Sequence, residues 1–194
     1  MSVHDPLEAV LGLVTAARVR HDGPGPVVLG VDGRSGSGKS DLAGAVTAAL
    51  RADGTDVALL ALEDAYPGWD GLAAGVAAVA RGVLAPLSRG EPGTVRTFDW
   101  DAARPGPVLR VPAPGRPVPD VVVVEGCGAG SAACAPYLDV LVWLEAPEEV
   151  RRRRALERDD HTWTERWAAW AAQEDALLAV RDARALADLV VRTG

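Results

Sequence analysis

The chain has 194 residues, 48% of them hydrophobic and 24% charged, with a formal net charge of -7. That size and balance fit one globular domain and exclude a disordered or fibrous chain. The acidic charge offers nothing to nucleic acid or to an anionic membrane surface, both of which recruit basic patches.

Asp5 before Pro6, with Glu8 three residues after Asp5, reads as a capped helix start, and Leu7, Val10, Leu11 and Val14 carry one apolar face toward Arg20. The opening "MSVHDPLEAVLGLV" lacks a basic leader. No apolar run reaches the roughly 18 to 20 residues of a membrane span, so a cytoplasmic location is expected. "GPGP" at 23–26 breaks the chain before "VVLGVD", a short continuous apolar run of the kind found in strands buried on both faces. A glycine-rich segment follows, and then Leu42, Val46, Ala49 and Leu50 fall at helical spacing. "DVALLAL" (56–62) is the next buried strand. After the turn "YPGWDG", a long helix carries Leu72, Val76, Val79, Val83, Leu84 and Leu87 on one stripe.

Residues 93–119 differ in texture. "TVRTF" and "PVLRV" predict a small hairpin on the substrate side, followed by the proline-rich "PAPGRPVP". "DVVVVEG" (120–126) and "LDVLVWLEAP" (138–147) return to the buried-strand pattern. Pro147, Glu148 and Glu149 open a helix with arginines behind them, the order a helix dipole prefers. Thr162 and Glu165 form a capping-box pattern for a helix with Trp163, Trp167, Trp170, Leu177 and Leu178 on its packing side. "ADLVVRT" ends the chain as a last strand. Strands alternating with helices, without repeat or linker, predict a single α/β domain over 1–194, built on a mainly parallel sheet of about five strands. Cys127 and Cys134 read as reduced, packed thiols, and His4, His21 and His161, with no partner spacing, as exposed.

Gly33, Gly38, Lys39 and Ser40 match G-x-x-x-x-G-K-[ST], after a strand and before a helix. Glycines let consecutive backbone N–H groups turn inward around a β-phosphate, and the following helix adds its N-terminal partial charge. The expected phosphate-binding set is Gly33, Ser35, Gly36, Ser37, Gly38, Lys39, Ser40 and Asp41. Lys39 reaches the β- and γ-phosphates, and the Ser40 hydroxyl faces magnesium. Lys39 is the only lysine in the chain. It stays lysine because a bidentate guanidinium fork is too bulky inside such a loop. With no asparagine and no second lysine, the chain cannot carry the N-K-x-D guanine motif, and it is too short for motor or transporter ATPases. A small-molecule phosphotransferase or a nucleotide-binding switch remains. Trp69 and Trp100, in loops beside acidic residues, offer an aromatic platform for a base or ring.

Four segments occur in an order shared with a known family: "GRSGSGKS" at 33–40, "EDAYPGW" at 63–69, "TFDW" at 97–100, and "VVVVEG" at 121–126 followed by "RRRRALERD". Across nearly its whole length the chain resembles the uridine kinase-like branch of the P-loop nucleoside kinases, related to pantothenate kinase and phosphoribulokinase. The resemblance implies a P-loop three-layer α/β/α sandwich with a hairpin insertion and an arginine-rich lid at 147–162. It places Glu63 and Asp64 at the acidic pair whose first member is the usual base for the acceptor hydroxyl, and Tyr66 at the neighbouring tyrosine. A glutamate in the first position departs from the family pattern, so either acid is a candidate. Glu125, after four valines, stands where such enzymes order magnesium, with Ser40 and Asp64 as further metal candidates. Asp99 aligns with an aspartate that bonds the acceptor's hydroxyls. Arg154 and Arg158 are the lid residues expected to neutralise charge on the transferred phosphoryl, although the family's longer lid is absent. The implied activity is ATP-dependent transfer of the γ-phosphate to a hydroxyl of a small, nucleoside-like metabolite, with ATP and Mg2+ as cofactors. A non-catalytic ATP-binding module and a slow NTPase are the alternatives, and assembly into a homo-oligomer is left open.

Overall fold

The structure, a computed structural model, describes residues 5–159 and 162–194, and the side chains of all of these except 158, 159, 162 and 163. Its centre is a five-stranded sheet in the order β2-β5-β1-β6-β7, with every neighbouring pair parallel. The strands are β1 (Val27–Gly33), β2 (Val57–Ala61), β5 (Val121–Glu125), β6 (Val140–Glu145) and β7 (Leu189–Arg192). All seven residues of β1 and all five of β5 are buried, which is why these segments read as unbroken apolar runs. Alternation still sorts the side chains. Val121 and Val123 pack with α1 (Pro6–Arg20) and α2 (Lys39–Ala52), through Val10, Val14, Val46 and Leu50. Val122 and Val124 face the other layer, where they meet Leu72 and Val76 of α3 (Leu72–Val79) and Trp170 of α6 (Thr162–Val180). The helices therefore cover both faces of the sheet.

Local signals set the helix starts. Asp5 Oδ1 accepts the Leu7 N–H at 2.9 Å, with Pro6 in the first turn. The stripe from Leu72 to Leu87 is buried as expected, but it is not one regular helix. α3 passes through a π-helical turn (Ala80–Leu84) into the short α4 (Ala85–Leu87). Pro86 lacks the N–H that an unbroken helix needs there. The separate hairpin, β3 (Gly93–Asp99) and β4 (Arg104–Val111), is antiparallel with an irregularity between Arg96 and Phe98. It roots on this helical segment: a Cβ on Gly93 would lie 2.5 Å from Val83 Cα, so only glycine permits the approach.

His21 is not the exposed, partnerless residue expected. Its Nδ1 lies 3.4 Å from Asp139 Oδ1 and its Nε2 lies 3.0 Å from the Gly25 carbonyl, while Asp139 also accepts the Val28 N–H at 2.8 Å. Asp139 lies 118 residues further along the chain, so no local spacing reveals it. His4 and His161 lie outside the described residues. Cys127 and Cys134 are free and buried. No helix among the described residues is long and apolar enough to cross a membrane.

Candidate active site

The strand β1 ends in the glycine segment, which leads directly into α2. Gly36 and Gly38 have φ of 78° and 90°, a region that side chains avoid. A Cβ on Gly36 would also collide with the Arg151 carbonyl of α5 (Glu148–Asp159). The loop closes on itself through the Ser37 N–H, which donates to the Arg34 carbonyl at 3.1 Å. Lys39 is buried, and its Nζ donates to the Arg34 carbonyl at 3.1 Å and approaches Cys127 Sγ at 3.6 Å. Burial opposes the ammonium, but Cys127, Glu174, Asp32 and Glu125 around it outweigh burial and raise its pKa.

Two buried carboxylates hold the loop, and neither is marked by the motif. Asp32, the penultimate residue of β1, accepts N–H bonds from Gly33 at 2.7 Å, Gly128 at 2.9 Å and Gly130 at 2.7 Å. It ties the phosphate-loop entrance to the turn after β5. Burial raises its pKa, against the pull of those N–H groups and of Lys39. Glu174, on α6, accepts the Ser35 N–H at 2.8 Å and Arg34 Nε at 2.9 Å, and lies 3.3 Å from the Cys127 thiol. Burial works against this carboxylate, yet Arg34, the Ser35 N–H, Lys39 and Cys127 together hold it below the usual range. Cys127 itself is pushed up to about 12 by burial, so it remains a thiol and donates.

Glu174 is therefore a positioning residue for the loop. Glu174→Ala is expected to lower the unfolding free energy by about 3 kcal/mol, because it strands the buried Ser35 N–H and takes from Arg34 its buried ion-pair partner. Asp175, the exposed second partner of Arg34 at 2.8 Å, should cost less than about 0.5 kcal/mol when replaced by alanine. Urea unfolding of the two variants checks the contrast.

A cleft of about 360 Å³ opens beside the loop. Its lining combines Ser35, Gly36, Lys39 and Ser40 of the loop and its helix, Glu125 and Cys127 from the end of β5, and Glu63, Tyr66, Trp69, Trp100, Asp101 and Trp170. Ser40 Oγ donates to Glu125 Oε1 at 3.1 Å. Of the acidic pair, Glu63 lines the cleft and Asp64 does not; Asp64 is an exposed residue whose pKa burial nonetheless raises. Tyr66 is buried and donates its hydroxyl to the Cys127 carbonyl at 2.8 Å. Trp100 and Trp69 form an edge-to-face pair with centroids 5.3 Å apart. Asp99 is turned elsewhere. Its Oδ1 accepts the Ala102 N–H at 3.0 Å and so closes the hairpin, while Asp101, two residues on, reaches the cleft.

The arginines of α5 meet the loop from its outer side. Arg151 donates to the Ser35 carbonyl at 3.2 Å and lies over the Trp167 ring at 5.5 Å. Arg154 donates to Thr193 Oγ1 at 3.2 Å and to the Gly36 carbonyl at 3.5 Å. It borders a second opening, shared with Gly38, Asp41 and Thr193, rather than the cleft of Lys39. The position of Arg158 falls in α5, but its side chain lies outside the described residues, as does that of Trp163. Of the other tryptophans on α6, Trp170 is buried in the core and Trp167 is half-buried, donating to Glu148 Oε1 at 3.2 Å.

Sequence reasoning missed Asp32, Cys127, Glu174, Arg151 and Asp101. Only Asp32 carried a signal, a lone acid inside an apolar strand, which demands buried donors.

No protein-family model matches the chain, and no curated protein matches it significantly. Solved structures do. A protein from Bacillus stearothermophilus described as a possible uridine kinase superposes with a TM-score of 0.68 at 21% identity, covering 98% of this chain and 99% of its own. A candidate fructose transport system kinase from Silicibacter gives a TM-score of 0.59 at 21% identity, covering 96% and 99%. D-glycerate 3-kinase from Cryptococcus neoformans gives 0.57 at 15% identity, covering 82% and 80%. The chain has the fold of these P-loop kinases: a parallel five-stranded sheet between helices, with a separate hairpin.

Proposed function

We propose that this protein is an ATP-dependent kinase that transfers the γ-phosphate to a hydroxyl of a small metabolite. One observation carries the reading: a single cleft is lined both by the buried lysine of a glycine loop and by the carboxylate-bearing Glu63. The kinase descriptions of the similar structures support it.

The loop amides and Lys39 bind the β- and γ-phosphates. As the phosphates arrive, Lys39 exchanges the Arg34 carbonyl for an anionic partner, and the helix dipole of α2 adds to the attraction. The second opening at Gly38, Asp41, Arg154 and Thr193 receives the nucleoside end, on the other side of the loop. Ser40 and Glu125 present two hard oxygens 3.1 Å apart, a donor set that would suit Mg2+ brought in with the nucleotide. When bound, that ion offsets phosphate charge. Glu63, which lines the cleft, accepts the proton of the acceptor hydroxyl. Catalysis on this plan is positioning and charge neutralisation.

Acceptor-dependent ADP formation tests the proposal. A kinase shows turnover that rises with one class of added alcohol. ADP release that no acceptor accelerates supports hydrolysis by water instead, and tight ATP binding without turnover supports a regulatory module.

A further inference from the structure

The acceptor end of the cleft combines two properties: it is aromatic, and it is acidic. Its walls are Tyr66, Trp69, Trp100 and Trp170, with the carboxylates of Glu63 and Asp101 at the rim. The rings form one continuous row. Phe98 and Trp100 have centroids 5.3 Å apart, Trp100 and Trp69 5.3 Å, Trp69 and Trp170 6.0 Å, and Trp170 and Tyr66 5.4 Å. Among the described residues lining the cleft Lys39 is the only cation, and it belongs to the phosphate end.

We infer that the acceptor is a hydroxylated compound carrying a positive charge, a protonated or quaternary amine, and that carboxylates and phosphate esters are rejected. This rests on the phosphoryl-transfer reading of the same cleft. An indole face attracts a cation through the ring quadrupole, and a desolvated aromatic wall strengthens the attraction. The carboxylates of Glu63 and Asp101 add to it at close range. An anionic acceptor meets the opposite field. It must enter beside Glu63, Asp101, Glu125 and the phosphate chain, with no spare cation to receive it.

Two side-chain donors on this wall that could otherwise receive an anion are already committed. The Tyr66 hydroxyl donates to the Cys127 carbonyl at 2.8 Å, and the Trp100 indole N–H donates to the Glu63 carbonyl at 3.1 Å. That second bond also fixes the hairpin tip to the segment bearing Glu63, so wall and base share one frame. Gln173 of α6 holds the remaining side, donating to the Trp69 carbonyl at 2.8 Å and accepting the Leu72 N–H at 3.2 Å. The site is preorganised for its ligand.

The experiment compares kcat/KM for acceptors of one size and three charges, serinol, glycerol and glycerate, together with choline and uridine, through acceptor-dependent ADP formation at saturating Mg-ATP. The amino alcohols should exceed glycerol by at least about 10-fold, with glycerate the poorest. Asp101→Asn should bring the serinol-to-glycerol ratio several-fold closer to one. If glycerol, glycerate or uridine is used as well as or better than the amino alcohols, the charge inference is overturned while phosphoryl transfer stands. If none of the five accelerates ADP formation, yet other alcohols that are uncharged or anionic do, the inference is again overturned alone, whereas a larger cationic alcohol as the acceptor supports it. If no alcohol accelerates it, the kinase reading falls with it.

Discussion

Lys39→Ala should lower kcat by at least about 100- to 1000-fold while leaving the fold intact. The magnitude follows from removing a preorganised donor aimed at charge that develops during transfer, inside a site that excludes water. The structure explains why the loop survives the change. Its shape is held by Glu174 on the Ser35 N–H, by Arg151 on the Ser35 carbonyl, and by Thr193, whose hydroxyl donates to the Ser37 carbonyl at 2.7 Å. None of these contacts passes through the lysine. Lys39→Arg should fail almost as completely, because the planar fork does not fit the space between the Arg34 carbonyl and Cys127. Steady-state turnover beside a thermal or urea unfolding curve reads both properties. Retained activity in the alanine variant refutes the site.

Asp32→Ala should be the most destabilising single change near the site, at about 4 kcal/mol by denaturant unfolding. Each buried N–H left without an acceptor costs about 1–3 kcal/mol, and three depend on this carboxylate. Asp32→Asn keeps one acceptor oxygen and should cost about half as much. The consequence reaches function through the loop after β5. Gly128 and Gly130 are anchored on Asp32, and Cys127, between that anchor and Glu125, lies against Lys39. Loss of the anchor should weaken nucleotide binding even where the protein stays folded. A cost below about 1 kcal/mol would show that these N–H groups find other partners.

The parts legible in the sequence are those whose physics is local. Val121 to Val124 had to be a buried strand because four β-branched residues in a row suit both faces of a parallel sheet. Residues 33–40 announced their chemistry because a phosphate loop needs positive φ at Gly36 and Gly38 and one slender cation. What stayed hidden depends on contacts across the chain. Glu174 meets Arg34 across 140 residues, and nothing on α6 distinguishes it from a solvated acid. The hairpin tip failed for a finer reason. Asp99 and Asp101 are interchangeable in sequence, and only the turn geometry decides that the first caps the Ala102 N–H while the second reaches the cleft. The π turn before Pro86 preserved the stripe from Leu72 to Leu87, so periodicity alone could not show it.

A structure of the protein with a non-hydrolysable ATP analogue and Mg2+ tests the central claim most directly. The β-phosphate should lie within hydrogen-bond distance of the backbone N–H groups of 36–40, with Lys39 Nζ drawn from the Arg34 carbonyl to the phosphates and the γ-phosphate facing Glu63. Nucleotide bound elsewhere, with Lys39 still on Arg34, would contradict it.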